Sequence, residues 1–183
     1  MSPIRVVLDA NVLFPEPVRE IFLAAAGRGW IDVLWSDRIL KETLGSLVRT
    51  GWLDAVDAPR LRERLERMAP RAMVSGWEHL EADMHNAPED RHVAAVAVHA
   101  GAVFIITRNL RDFRKLPPGL RAQAPDVFLR SLLRENPLEM EALLRGMSIQ
   151  VGWDAWLTLL AKVTPGFARE ARVLLEVERS SMG

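Results

Sequence analysis

Ile4-Arg5-Val6-Val7-Leu8-Asp9-Ala10-Asn11-Val12-Leu13-Phe14 is the stretch on which the fold turns. The residues from Ile4 to Leu8 read as a short buried strand. A parallel sheet covered by helices is apolar on both faces, so a carboxylate belongs at the end of such a strand and not within it. Asp9 therefore stands at a carboxyl end, where open α/β sheets place their ligands. A strand-end Asp can equally cap the turn that follows, so Asp9 alone does not decide what the chain does.

Working outward, a loop with Pro15 and Pro17 precedes an amphipathic helix from about Val18 to Arg28, ended by Gly27 and Gly29. Ile31 to Trp35 is a second strand. Ser36 is a good N-cap for a helix whose apolar stripe is Ile39, Leu40, Leu44, Leu47 and Val48. Pro59 opens another helix, with Leu61, Leu65 and Met68 spaced for burial. Met73 to Trp77 reads as a short strand or an irregular connection. A Val- and Ala-rich helix runs from Asp90 to about Ala100, and Val103 to Ile106 is a buried strand ending on Thr107. Strands alternating with helices predict an α/β fold: a parallel sheet flanked by helices in three Rossmann-like layers.

After Pro125 the pattern becomes helical only: about Asp126 to Arg134, a break at Asn136-Pro137, then Leu138 to Arg145, Trp153 to Lys162, and Pro165 to about Arg179. The expected division is 1–135 for the α/β domain and 136–183 for an α-helical C-terminal extension. Trp153, Trp156, Leu157, Leu160, Phe167, Leu174 and Leu175 are too many large apolar groups to leave in water on such a segment.

The 183 residues include no cysteine, which removes disulfide scaffolds and thiolate metal sites. The N-terminus enters the first strand almost at once and leaves no room for a signal peptide. No apolar run approaches a membrane span. A cytoplasmic protein with no membrane partner is expected. Formal charge is zero, so this is no broadly basic nucleic-acid binder. No Gly-rich phosphate loop or dinucleotide fingerprint is present.

Four acids recur at comparable places. Asp9 ends the first strand, Glu42 lies in the helix after Ser36, Asp90 starts a helix, and Asp112 follows the strand Val103–Ile106. Each taken alone has an ordinary structural reading as a cap, a dipole partner or a solvated charge. Converging in one cleft, four carboxylates repel one another unless a cation neutralises them. Hard oxygen ligands suit Mg²⁺ or Mn²⁺. His92 and His99, one heptad apart on a helix, read as packing or surface residues.

Val7-Leu8-Asp9-Ala10-Asn11-Val12-Leu13 resembles the opening motif of PIN-domain ribonucleases. Ser36 through Glu42 resembles their second motif, Asp90-Arg91-His92-Val93-Ala94-Ala95 the third, and Ile106-Thr107-Arg108-Asn109-Leu110-Arg111-Asp112-Phe113 the fourth. Order and spacing match over roughly residues 4 to 130. The helical tail is similar to the extension on some VapC-type toxins of bacterial toxin–antitoxin pairs. Many PIN domains carry Asp where this chain has Asn109, so the fourth acidic role falls to Asp112 or is partly taken by the amide. The resemblance implies Mg²⁺- or Mn²⁺-dependent cleavage of RNA and a cognate antitoxin protein as partner, with a homodimer left open.

On this reading Asp9, Glu42, Asp90 and Asp112 hold the metal and activate water, and Thr107 orients a ligand or the water. Asn11, Ser36 and Asn109 brace the carboxylates. Arg91, Arg108, Arg111, Arg114 and Lys115 lie around two of the acids, where they could neutralise an RNA backbone. A catalytically degenerate PIN-fold module that only binds RNA or protein is the alternative. A phosphatase or DNA nuclease using the same carboxylates is a third.

Overall fold

The computed structural model describes residues 3–148 and 152–177. The chain divides into two compact units, Met1–Gln123 and Ala124–Gly183.

In the first unit, β1 (Ile4–Leu8), β2 (Ile31–Leu34), β3 (Phe104–Ile106) and β4 (Arg121–Gln123) form one sheet in the order β2-β1-β3-β4. Every pairing is parallel. β1 is an interior strand, and its Val6, Val7 and Leu8 are fully buried. Its register positions the site. Leu8 lies opposite Ile106, so the next residues, Asp9 and Thr107, emerge side by side at the carboxyl end of the sheet. The Asp9 amide donates to the Ile106 carbonyl at 3.1 Å, and the Thr107 amide donates to the Gln123 carbonyl at 3.0 Å.

β4 has no counterpart in the sequence reading. Arg121-Ala122-Gln123 carries no apolar run, and it is a strand only because β3 offers it a free edge. Met73 to Trp77 contributes a single bridge, Trp35 to Met73, and then gives way to a 3₁₀ helix, Glu78–Asp83.

The proline-containing loop after β1 folds into α1 (Ala10–Leu13) and the start of α2 (Glu16–Gly27). The second helix begins before the expected Val18 because proline is accommodated in a first helical turn, where its missing N–H has no partner to lose. Arg19 is buried in α2 and donates to the Leu13 carbonyl at 2.7 Å and the Phe14 carbonyl at 3.3 Å, pinning the end of α1. α3 (Asp37–Arg49) starts where Ser36 predicts, and the Ser36 hydroxyl accepts from the Ile39 amide at 3.3 Å. α4 (Ala58–Met68) buries Leu65 as expected, but Met68 is exposed. α5 (Arg91–His99) follows a short 3₁₀ turn, Pro88–Asp90, and buries Val93 through Ala97.

The second unit consists of α6 (Pro125–Glu135), α7 (Pro137–Ser148), α8 (Trp153–Ala161) and α9 (Pro165–Val177). α9 packs on the other three. Phe128, Leu129, Leu132, Met140, Leu144, Trp156, Leu160, Phe167 and Leu175 are buried, each side chain stabilising the fold by roughly 1.5–3 kcal/mol relative to exposure. Asp126 accepts from the Phe167 amide at 2.8 Å, and Glu170 accepts from Arg130 at 2.9 Å and Arg134 at 2.8 Å. These contacts group α6 with the C-terminal helices, so the unit boundary falls at Gln123/Ala124. Asn136-Pro137 marks only the turn between α6 and α7, with Pro137 as the first residue of the new helix. The expected helix end at Arg179 and the Trp153 side chain lie outside what the structure describes. No described helix is long and apolar enough to cross a membrane.

Candidate active site

Asp9 is 4% exposed. A carboxylate so far out of water needs donors, and two side chains supply them. Thr107 Oγ1 donates to Asp9 Oδ2 at 2.7 Å, and Asn11 Nδ2 donates to the same oxygen at 2.6 Å. Asn11 also donates to Thr107 Oγ1 at 3.1 Å and accepts from the Arg108 amide at 2.9 Å. Thr107 accepts from the Asn109 amide at 3.0 Å. The ends of β1 and β3 are thus tied by a network centred on one acid. Burial pushes the Asp9 carboxyl above its usual range, and the Thr107 hydrogen bond offsets only part of that rise.

Asp9 lies in a cleft of about 330 Å³ together with Asn11, Glu42, Asp90, Arg108 and Asn109. Three of the four acids singled out in the sequence therefore share one surface. Asp90 occupies the N-cap position of α5 but makes no capping hydrogen bond, so capping does not account for it. Its carboxyl is pushed up to about 6 by burial, then by the negative charges of Asp9 and Asp112.

Asp112 is not among the residues lining the cleft. It belongs to a 3₁₀ turn, Leu110–Phe113, and its carbonyl accepts from the Ala87 amide at 2.9 Å. Its charge nonetheless reaches Asp90. Asn109 does line the cleft. Ser36 is fully buried as the cap of α3, the helix that carries Glu42, and does not line the cleft itself.

Glu42 is engaged on both oxygens. Arg38 Nε is 3.2 Å from Oε1, and His92 Nε2 is 3.2 Å from Oε2. Burial works to raise the Glu42 carboxyl, but these two partners outweigh it and hold the group below its usual range. Arg38 also pairs with Glu81 at 3.0 Å. Its spacing on α5 reads His92 as a packing or surface residue. It is buried, but it faces an acid of the cleft. The signal available was its position two residues after Asp90, which turns its side chain inward while Asp90 remains at the helix mouth.

Among the positively charged residues, Arg108 lines the acidic cleft. Arg91 and Lys115 line a separate depression of about 820 Å³ with Asp83 and His85. Arg111 and Arg114 are exposed.

The donor set is one of hard oxygens: carboxylates with amide and hydroxyl neighbours, and no thiolate. That chemistry fits a divalent cation such as Mg²⁺ or Mn²⁺. The Asp90 carboxyl is raised first by burial and then by the neighbouring acids Asp9 and Asp112. Among the described residues, no three acidic or histidine side chains are gathered closely enough to grip one ion together.

A parallel sheet carrying buried and half-buried acids at its carboxyl end defines a class of α/β proteins with an acidic cleft. The chain matches the PIN domain family over residues 5–111. It belongs to that family. It is 32% identical over 146 residues to the protein named "Putative ribonuclease VapC50" from Mycobacterium tuberculosis, an alignment that covers 69% of this chain and 80% of the relative. No solved structure matches it significantly.

Proposed function

We propose that this chain is a divalent-metal-dependent endoribonuclease, the toxin of a toxin–antitoxin pair, acting in the cytoplasm. The observation that carries this reading is the Asp9 cluster. A nearly buried carboxylate, braced by Thr107 and Asn11, shares a cleft with Glu42 and Asp90, and the Asp90 carboxyl is pushed up to about 6. Similarity to the relative named "Putative ribonuclease VapC50" supports RNA as the substrate class.

Since no three of these side chains grip one ion directly, Asp9, Glu42 and Asp90 would hold Mg²⁺ or Mn²⁺ partly through its retained waters, with Asp112 adding a fourth negative charge from just outside the cleft. A cation so placed lowers the pKa of a bound water and stabilises charge building on a phosphate. The remaining work falls to the protein's own side chains. Thr107 and Asn11 fix the orientation of Asp9 through the oxygen they share, and Asn109 holds the loop by donating its amide to Thr107. Arg108 at the cleft, with Arg91, Arg111, Arg114 and Lys115 nearby, neutralises the RNA backbone and sets its path across the acids. A cognate antitoxin protein is the partner that restrains the activity.

The test is cleavage of a structured RNA by the full chain with Mg²⁺ or Mn²⁺, compared with Asp9→Asn. Cleavage that depends on metal and is abolished by the substitution supports the proposal. Cleavage retained by Asp9→Asn in excess metal removes Asp9 from the machinery. RNA binding by the wild type without cleavage under any metal condition favours the degenerate binding module.

A further inference from the structure

His92 is 1% exposed. One face packs against Trp77, with ring centroids 6.2 Å apart. Nδ1 lies 2.9 Å from the Glu89 carbonyl oxygen, which can only accept, so Nδ1 carries a proton and donates it. With the ring seated by these two contacts, the position of Nε2 is determined. It points at Glu42 Oε2, 3.2 Å away, across the gap between α5 and α3. Oε2 can only accept, so the ring is held in the form that carries a proton on both nitrogens, and the contact is an ion pair and not an aligned hydrogen bond.

Glu42 has the opposite character. Its side chain is 41% exposed and ends a flexible stem that would sample several rotamers if unrestrained. Its other partner, Arg38, is 43% exposed and divides itself between Glu42 and Glu81. Arg38 is therefore an exchangeable partner, whereas His92 is a fixed one. The spacing adds a further consequence. Asp90 and His92 lie two residues apart at the start of α5, so the same helical turn delivers one acid to the cleft and the anchor for another.

We propose that His92 is a positioning residue for Glu42: its Nε2, held by Trp77 and the Glu89 carbonyl, fixes the Glu42 carboxylate towards a divalent cation that Asp9, Asp90 and Glu42 share partly through its waters. This rests on the reading of the cleft as a cation site. Residues that orient metal-binding groups from behind act on affinity through geometry, without touching the ion.

The experiment titrates the metal-free full chain with Mn²⁺, following free Mn²⁺ by electron paramagnetic resonance, for wild type, His92→Gln and His92→Asn. The Gln amide nitrogen falls where Nε2 was and can still donate to Glu42. The Asn amide nitrogen falls where Nδ1 was and can serve only the Glu89 carbonyl. Near-wild-type affinity for His92→Gln, with a loss of about 10-fold or more for His92→Asn, is expected. Equal losses in both variants, or a loss confined to His92→Gln, would assign His92 to packing alone and overturn the proposal. Failure of the wild type to bind Mn²⁺ would overturn the cation site itself, and this inference with it. A second measurement does not depend on a His92 variant folding. In long-range ¹H–¹⁵N spectra, Glu42→Gln is expected to shift His92 Nε2 and leave Nδ1 in place. An unmoved Nε2 resonance would show that the two side chains are not in contact, against the proposal.

Discussion

Asp90→Asn is expected to make the metal-free protein more stable at neutral pH. The Asp90 carboxyl is pushed from 3.8 up to about 6, first by burial and then by Asp9 and Asp112. A carboxyl raised in the folded state keeps its proton where the unfolded chain has lost it. The native state therefore carries a penalty that is absent below pH 3.8, grows as pH rises towards 6, and is complete above that. Taken at face value the shift is worth about 3 kcal/mol. Asp90 is only partly buried, so solvent screening reduces the figure to about 1 kcal/mol. The amide removes the charge and forfeits no cap, because Asp90 makes no capping hydrogen bond. For a chain of this size, about 1 kcal/mol corresponds to a rise of about 2–4 °C in Tm. Thermal denaturation in chelator, run from pH 4 to pH 8, measures the difference directly. The gap between variant and wild type should open as pH rises and close at the acid end. A gap that is absent at pH 7, or that widens towards pH 4, would refute the electrostatic account of the cleft.

Three further outcomes are expected. Millimolar Mn²⁺ should raise the Tm of the wild type by mass action and leave that of Asp9→Asn nearly unchanged, and equal shifts in both proteins on a melting curve would place the ion elsewhere. Thr107→Val removes the donor to a buried carboxylate and should cost about 1.5–3 kcal/mol in denaturant unfolding. It should also push the Asp9 carboxyl further up, so any residual cleavage recovers as pH is raised; a pH profile unchanged from wild type would count against that. Gly166→Ala should destabilise the C-terminal unit by about 1–3 kcal/mol despite the better helix propensity of alanine. The new Cβ would lie 2.6 Å from Asp126 Oδ2 and 3.0 Å from Arg130 Cδ, and Asp126 cannot retreat without stressing its bond to the Phe167 amide. A raised Tm for that variant would show that the helix start is looser than described.

The sheet's core and the place of its chemistry were legible because each rests on a local cue. Val6 to Leu8 and Ile105 to Ile106 are apolar runs, and an acid or threonine ends each one. Ser36 was readable as a cap because capping needs one hydroxyl and one nearby amide. β4 was not legible, since Arg121-Ala122-Gln123 has no strand pattern of its own and is specified by the edge it joins. The packing of α6 on α9 has no local signal for a related reason. Its partner α9 lies far along the chain, and Asn136-Pro137 is a local signal that says nothing about which helices pack together. At the site, spacing brought out Asp9, Glu42 and Asp90, but it could not distinguish Asn109, which faces the cleft, from Asp112, which acts on it from outside. The role of His92 depends on a contact between residues fifty positions apart, and no pattern along one helix discloses it.

The Asp9 amide is part of the sheet itself, bonded to Ile106 on the neighbouring strand, and Val6, Val7 and Leu8 before it have no exposure at all. Backbone so held opens only when the whole unit unfolds, so this amide should be among the slowest in the chain to exchange with solvent deuterium. Glu42 and Asp90 are attached differently, to a helix and a helix start whose local opening leaves the sheet intact. The cleft thus has one wall built on the sheet and two built on helices. A partner that reshapes the cleft without unfolding the protein is expected to act through α3 and the start of α5, because the strand before Asp9 is paired on both sides.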